Sequence, residues 1–303
     1  AIRNFDELTA HLKTLNSKKR IVVVCAKDPN TEYAIKRALD EGIADFLMIG
    51  DGDVFERYPA LRSYGDRVQT IQVDDPDEAA RQAVMIVREG KADILMKGII
   101  NTDNLLRAVL DKEHGLLPKG NVLSHVTVAQ IPLYNKLLFF SDAAVIPRPT
   151  LEQFDAMIRY NVAVCRQMGI ATPRVALIHC TEKVNEKFPF TLDYVTLKER
   201  AAAGEYGEMF LDGPMDAKTA CDAHSGEVKG INSPVVGHAD MVIFPNIIAA
   251  NTFYKTLSLF GDANMAGMLQ GTTAPVVVPS RADSGNSKFY SLAFACVCSD
   301  TKK

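Results

Sequence analysis

Three short segments group side chains able to hold an anion or polarise a carbonyl. They are Ser280-Arg281-Ala282-Asp283-Ser284, Lys97-Gly98-Ile99-Ile100-Asn101-Thr102 and Ser124-His125. The first is the sharpest, with a hydroxyl, a guanidinium and a carboxylate inside four residues. Arg281 can grip a phosphate through two parallel hydrogen bonds while Ser280 donates to a developing oxyanion. The same residues also read as an ordinary helix start, Asp283 or Ser284 serving as N-cap and Arg281 pointing into water. In the second segment Lys97 offers a point charge beside Asn101 and Thr102. The plainer alternative there is that Thr102 or Asp103 caps a helix carrying Arg107. Ser124 and His125 fall within an apolar run, Val122 to Val128, whose alternation also suits His125 to a core or an interface.

Such groups need elements to hold them. Short β-branched runs followed by longer stretches of helical spacing recur along the chain, the pattern of βα units on a parallel sheet. Strands are expected at Ile21 to Cys25, Phe46 to Ile49, Val68 to Val73 and Ile94 to Met96, with helices at Thr31 to Glu41, Pro76 to Glu89 and from Thr102. Val122 to Val128 and Leu137 to Phe140 follow with little helix between them, so an antiparallel pair is expected. Pro147-Arg148-Pro149-Thr150 breaks the rhythm ahead of a helix over Leu151 to Met168, and a domain boundary is placed there. Beyond it come a strand at Arg174 to Ile178, a helix at Leu192 to Ala203, a strand at Met209 to Leu211 and a turn at Asp212-Gly213-Pro214. A strand at Met241 to Phe244, a helix at Ile247 to Phe260, a strand at Pro275 to Val278 and a helix at Ser284 to Cys296 complete the pattern. In open α/β sheets ligands gather at the carboxyl ends of strands, where helix N-termini offer free N–H groups. The Lys97 and Ser280 segments both stand at such ends.

Composition narrows the function classes. The 303 residues are 47% hydrophobic and 23% charged, a globular composition long enough for two domains. With 34 basic against 37 acidic residues the net charge is −3, which gives no general attraction for nucleic acid. No apolar run approaches the roughly 18 residues of a membrane span, and the first residues lack a signal-peptide core, so a cytoplasmic setting is expected. The six cysteines form no CxxC pair and the six histidines no ligand spacing, so reduced thiols and no metal are expected. Gly50-Asp51-Gly52-Asp53 matches only part of a calcium loop and reads as a surface turn. There is no GxGxxG after the first strand and no GxxxxGK[ST].

Taken in order, the motifs look familiar. Ala92-Asp93-Ile94-Leu95-Met96-Lys97-Gly98 with Asn101-Thr102 and Leu105 to Leu110 resembles the phosphate acetyl/butyryltransferase family, as do Leu123-Ser124-His125-Val126 and Pro149-Thr150-Leu151. Asp212-Gly213-Pro214, Ser233 to Gly237, Ala239-Asp240, Pro245-Asn246, Asn251, Tyr254-Lys255 and Ser280 to Ser284 continue the resemblance, which spans about residues 20 to 295. Lys97 with Asn101-Thr102, the Ser-His-Val segment and Ser-Arg-Ala-Asp-Ser are similar to the butyryl branch. The resemblance implies two α/β/α domains with mainly parallel sheets, like the isocitrate and isopropylmalate dehydrogenases. It also implies an active site in the interdomain cleft, and a chain that returns to the first domain at its end. The expected division is 1–148 with 279–303, and 149–278.

The implied reaction is butyryl-CoA, or a similar short or branched acyl-CoA, plus phosphate giving acyl phosphate and CoA, by direct transfer in a ternary complex. Coenzyme A is then a substrate and no cofactor is expected; a homodimer or higher homo-oligomer is. Carried over motif by motif, Ser280 is a donor to the carbonyl and Arg281 the phosphoryl binder. Lys97, Asn101, Thr102, Arg107, Ser124 and Ser284 are substrate-binding candidates. The acetyl branch has an Asp seven residues after the motif Ser, proposed to take the thiol proton; here that position is Ser287, and Asp283 is the nearest substitute. Competing readings are a phosphate acetyltransferase, a dehydrogenase of the same general fold and a non-catalytic metabolite-binding protein. A dehydrogenase should carry a metal-binding Asp cluster and a nucleotide loop, and a non-catalytic relative should have lost Ser280 or Arg281.

Overall fold

The computed structural model describes residues 1–50 and 52–299, so Asp51 of the Gly50 to Asp53 turn lies outside the described residues. The chain forms two compact units. The first comprises Phe5–Leu123 and the described residues from Met265 on; the second comprises Ala1–Asn4 and Ser124–Asn264.

The first unit opens with helix α1 (Phe5–Lys13) and alternates strands β1 (Lys19–Val24), β2 (Ala44–Ile49), β3 (Val68–Ile71) and β4 (Ile94–Lys97) with helices. These are α2 (Pro29–Asp40), the short α3 (Val54–Arg57), a 3-10 stretch at Pro59–Arg67, α4 (Pro76–Arg88) and α5 (Thr102–Val109). The β1–β2, β2–β3 and β1–β4 pairs are all parallel. Ile21, Val22, Val23 and Val24 are all fully buried, which explains why β1 reads as an unbroken apolar run: both of its faces are covered. Asp28 and Asp75 cap α2 and α4, each followed by a proline at the first helical position. Proline has no N–H to lose there, and its fixed φ suits the turn.

The second unit begins with β5 (Ser124–Gln130) and β6 (Leu138–Ser141), which pair antiparallel as expected. It continues through α6 (Leu151–Gln167), β7 (Arg174–Ile178), α7 (Phe190–Ala202), β8 (Phe210–Met215), α8 (Ala217–Cys221), α9 (Ala223–Lys229), β9 (Met241–Ile243) and α10 (Ile247–Phe260). Its strands run in the order β5-β6-β9-β7-β8, with the pairs after β6 parallel. α6 starts where its sequence says, because Thr150 and Gln153 form a reciprocal capping box.

The chain then returns to the first unit with β10 (Asn264–Gln270), β11 (Val276–Val277) and α11 (Gly285–Cys298). β11 pairs antiparallel with β10 and parallel with β4, completing the order β3-β2-β1-β4-β11-β10. No helix among the described residues is long and apolar enough to cross a membrane.

Three features depart from expectation. The units divide at 123/124 and 264/265, ahead of 148/149 and 278/279. The reason is pairing: β6 bonds to β5 and β9 and draws the hairpin into the second unit, while β11 ties β10 to the first. The expected turn at Asp212-Gly213-Pro214 instead lies inside β8, beside a register shift against β7 between Ala176 and Ile178. Gly213 is needed there, since a Cβ would sit 2.5 Å from the Leu177 carbonyl oxygen. Finally, α1 and β10 are not among the expected elements: α1 does bury Phe5, Leu8 and Leu12 at helical spacing, whereas Asn264, Gly267 and Gln270 interrupt the apolar character of β10.

Candidate active site

β4 and β11 are parallel neighbours, with Leu95 opposite Val276 and Met96 opposite Val277. Their carboxyl ends therefore open side by side, and the loops that follow them share one concave site. Its cavity, about 470 Å³, is lined by Lys97, Ile100, Asn101, Thr102, Val278, Pro279, Ser280 and Arg281. Five of the nine sequence candidates thus come together: Lys97, Asn101, Thr102, Ser280 and Arg281.

The β4 loop is stitched to the end of β1. Gly98 N donates to Val24 O at 2.8 Å and Ile99 N to Cys25 O at 2.7 Å. A Cβ on Gly98 would lie 2.2 Å from Cys25 O, so only glycine permits this approach. Lys97, the last residue of β4, is held almost entirely inside, 3% exposed. Its Nζ donates to Gly98 O at 3.0 Å. Burial pushes the Lys97 pKa down; the Lys288 and Arg281 cations push the same way, and Asp28 and Asp283 offset part of this. Asn101, rather than Thr102 or Asp103, caps α5: its Oδ1 accepts from Asp103 N at 3.0 Å. Its amide NH₂ is a separate donor group.

On the β11 loop, Asp283 Oδ2 accepts from Ser280 N at 2.8 Å, and Asp283 N donates to Ser280 O at 3.1 Å. The carboxylate closes the turn that presents Ser280 and Arg281, and among the described residues lining the cavity Asp283 does not figure. Ser284 is the N-cap of α11, accepting from Ser287 N at 3.1 Å. Ser287, where the acetyl branch carries Asp, donates its hydroxyl to Met265 O at 2.7 Å and ties α11 to β10.

Two candidates stand apart. Arg107 is exposed and lines a second cavity of about 400 Å³ with Asp77, Arg81, Asn104, Asp111 and His114. Ser124 belongs to the second unit, where it is fully buried and donates to Asp142 Oδ2 at 3.0 Å.

Sequence reasoning missed the partners behind Lys97. Lys288, on α11 and 3% exposed, donates from Nζ to Asp28 Oδ1 at 3.0 Å and Thr31 Oγ1 at 3.3 Å. Burial by itself would raise the Asp28 pKa, but hydrogen bonds from Thr31 and Lys288 hold the carboxyl below its usual range. The one available signal was that Lys288 is the lone charged residue of α11. Asp28 is taken up by Lys288, which leaves Lys97 and Arg281 as the basic groups lining the cavity, at a strand end beside the start of α5 that suits a small anion such as phosphate.

The profile of the phosphate acetyl/butaryl transferase family matches residues 70–296. The phosphate butyryltransferase of Clostridium beijerinckii is 37% identical over 302 residues, covering 99% of each chain. The phosphate acetyltransferase of Thermotoga maritima is 36% identical over 281 residues, 92% of this chain and 95% of that protein. Among solved structures, a branched-chain phosphotransacylase from Enterococcus faecalis V583 superposes with a TM-score of 0.82 at 29% identity, covering 93% of this chain and 99% of the other. The family match spans most of the sequence and takes in β4, β11 and the loops that follow them, so this chain belongs to the phosphate acetyl/butaryl transferase family and is an acyltransferase.

Proposed function

We propose that the chain moves a butyryl or branched short acyl group between coenzyme A and phosphate, with no cofactor, and that the cavity between the β4 and β11 loops is its phosphate site. The carrying observation is the end-to-end 37% identity to the phosphate butyryltransferase of C. beijerinckii. The branched-chain phosphotransacylase among the solved structures supports the same acyl range. In this reading a phosphate oxygen attacks the thioester carbonyl, the C–S bond breaks, and the proton that left phosphate ends on sulfur.

The residues divide the work by chemistry. Arg281 clamps the phosphoryl oxygens with its planar fork, which also aligns the attacking oxygen. Ser280 donates to the carbonyl oxygen as charge gathers there. Lys97, the Asn101 amide and Thr102 at the start of α5 complete the anion cradle, where the first N–H groups of the helix favour negative charge. Asp283 and Ser284 fix the Ser280–Arg281 turn and the start of α11. Arg107, lining a separate cavity, is left to the phosphates of coenzyme A. Homodimerisation and a cytoplasmic setting accompany this reading as expectations, the first resting on the family resemblance.

The test follows CoA release with a thiol reagent, in phosphate, for acetyl-, propionyl-, butyryl- and isobutyryl-CoA. Phosphate-dependent release with a higher kcat/KM for butyryl- or isobutyryl-CoA than for acetyl-CoA is expected. Absence of release with every acyl-CoA overturns the reading, and an acetyl preference overturns its acyl range.

A further inference from the structure

The reaction proposed above moves one proton between a phosphate oxygen and a sulfur, yet the two carboxylates that act on Lys97, Asp28 and Asp283, are engaged elsewhere. Asp283 accepts from the Ser280 amide, and Asp28 accepts from Lys288 and Thr31. Ser287 stands where an Asp is expected, and its hydroxyl is bonded to Met265 O. The ionisable groups that line the cavity are Lys97 and Arg281, and a guanidinium does not give up its proton in a protein.

We propose that Lys97 is the proton carrier of the reaction, its side-chain nitrogen shuttling one proton between phosphate and the sulfur of coenzyme A. The inference rests on the acyl-transfer reading and deepens it. Working towards acyl phosphate, hydrogen phosphate gives its proton to the neutral Nζ as its oxygen bonds to the carbonyl carbon. The C–S bond then breaks and the departing thiolate takes the proton from Nζ. In the other direction the thiol gives its proton to Nζ as sulfur bonds to carbon. The C–O bond to the phosphoryl group breaks, and phosphate leaves as hydrogen phosphate. No proton is gained or lost overall, and Lys97 is neutral before and after either direction.

The surroundings fit that duty. Lys97 is 3% exposed, and its Nζ makes one hydrogen bond among the described residues, donating to Gly98 O. As an amine it donates there and keeps its lone pair for the substrate. The charged groups that face it are Lys288 from α11, Asp28 from the start of α2, and Arg281 and Asp283 from the β11 loop. The two cations and the burial favour the neutral amine, and the two carboxylates moderate them. Lys288, held by Asp28 and Thr31, is a positioning residue: its charge acts on Lys97 without reaching the cavity lining.

The decisive variants are Lys97→Arg, which keeps hydrogen-bond donors but stays charged and neither takes nor releases a proton near neutrality, and Lys97→Ala. Both are expected to lose about 10²- to 10⁴-fold in kcat, the usual contribution of a positioned acid or base. Added ethylamine should restore Lys97→Ala by about tenfold or more, increasingly as pH rises and more free amine is present. Lys288→Met should move the acid limb of the kcat profile to higher pH, since losing a neighbouring cation lets Lys97 hold its proton more tightly. Lys97→Arg within about tenfold of the parent, or an unmoved acid limb in Lys288→Met, overturns the inference even if Lys97→Ala fails to fold. An inactive parent protein, by contrast, defeats the acyl-transfer reading itself.

Discussion

Two strand ends bury an ionisable side chain almost equally well and do opposite things with it. At the end of β4, Lys97 is 3% exposed; one residue beyond β6, Asp142 is 2% exposed. Asp142 is saturated. It accepts from Ser124 Oγ and from the N–H groups of His125, Ala144, Val145 and Ile146, at 2.8 to 3.3 Å. Lys97 makes a single side-chain hydrogen bond among the described residues and faces the cations Lys288 and Arg281. A buried charge met by fixed donors on every side is part of the scaffold. A buried amine set beside two cations and an adjoining cavity, with one hydrogen bond of its own, is left to act on a ligand.

The difference predicts that the two ends fail differently. Asp142→Ala strands five donors around one vacated position, each costing roughly 1–3 kcal/mol if left unmade, with water recovering some. A stability loss of about 4 kcal/mol is expected, read from the denaturation midpoint at unchanged slope. A loss below about 1 kcal/mol would mean that those donors find other partners and that Asp142 is no scaffold.

Arg281→Lys should show the reverse pattern. The charge survives but the planar fork is lost, and one such transition-state contact is worth about 3 kcal/mol, on the order of 100-fold in kcat/KM. Folding stability should stay within about 0.5 kcal/mol, as for most exposed substitutions. Activity within a factor of about two would show that Arg281 is not the clamp.

How much of this contrast could be read from the chain depends on what kind of signal carried it. The strand-end loops were legible because Lys97-Gly98 and Ser280-Arg281 follow apolar runs directly, and polar groups after a buried parallel strand have few structural duties. The antiparallel β5–β6 pair was legible from the missing helix. Lys288 and Asp28 were not, because they are 260 residues apart and meet only when α11 packs on α2. Ser124 misled for the same reason: a polar residue inside an apolar strand looks available until a carboxylate 18 residues away claims its hydroxyl. The division between units likewise depended on which strands β6 and β11 choose, and period-2 patterning does not name partners.

Lys288→Met tests the support behind the β4 end. It leaves Asp28 largely buried with Thr31 but without its cation, and a loss of about 2 kcal/mol at neutral pH is expected, somewhat under the usual cost of breaking a buried pair. The pH dependence has a definite sign. Asp28 is held below its ordinary 3.8 in the folded protein, so the stabilisation is present above that value and disappears as pH falls through the folded pKa. Parent and variant should therefore converge in acid. A gap that persists well below pH 3 would assign the loss to packing of the lysine stem.

The smallest effect concerns Asp283, where a base and a turn-holder make separable predictions. A general base replaced in Asp283→Asn should cost most at low pH, where few thiols are ionised, and should be partly rescued as pH rises. The carboxylate instead accepts from Ser280 N at 2.8 Å, and the Asn carbonyl can accept the same hydrogen bond without the charge. Charge-assisted bonds are about twice as strong as neutral ones, so the substitution should cost about 1 kcal/mol, roughly fivefold in kcat/KM, evenly across pH. Asp283→Ala, which removes the acceptor and frees the Ser280–Arg281 turn, should cost several times more, again without a pH trend. A defect in Asp283→Asn that deepens in acid and vanishes in alkali would return the proton to Asp283 and leave Lys97 an anion-binding charge alone.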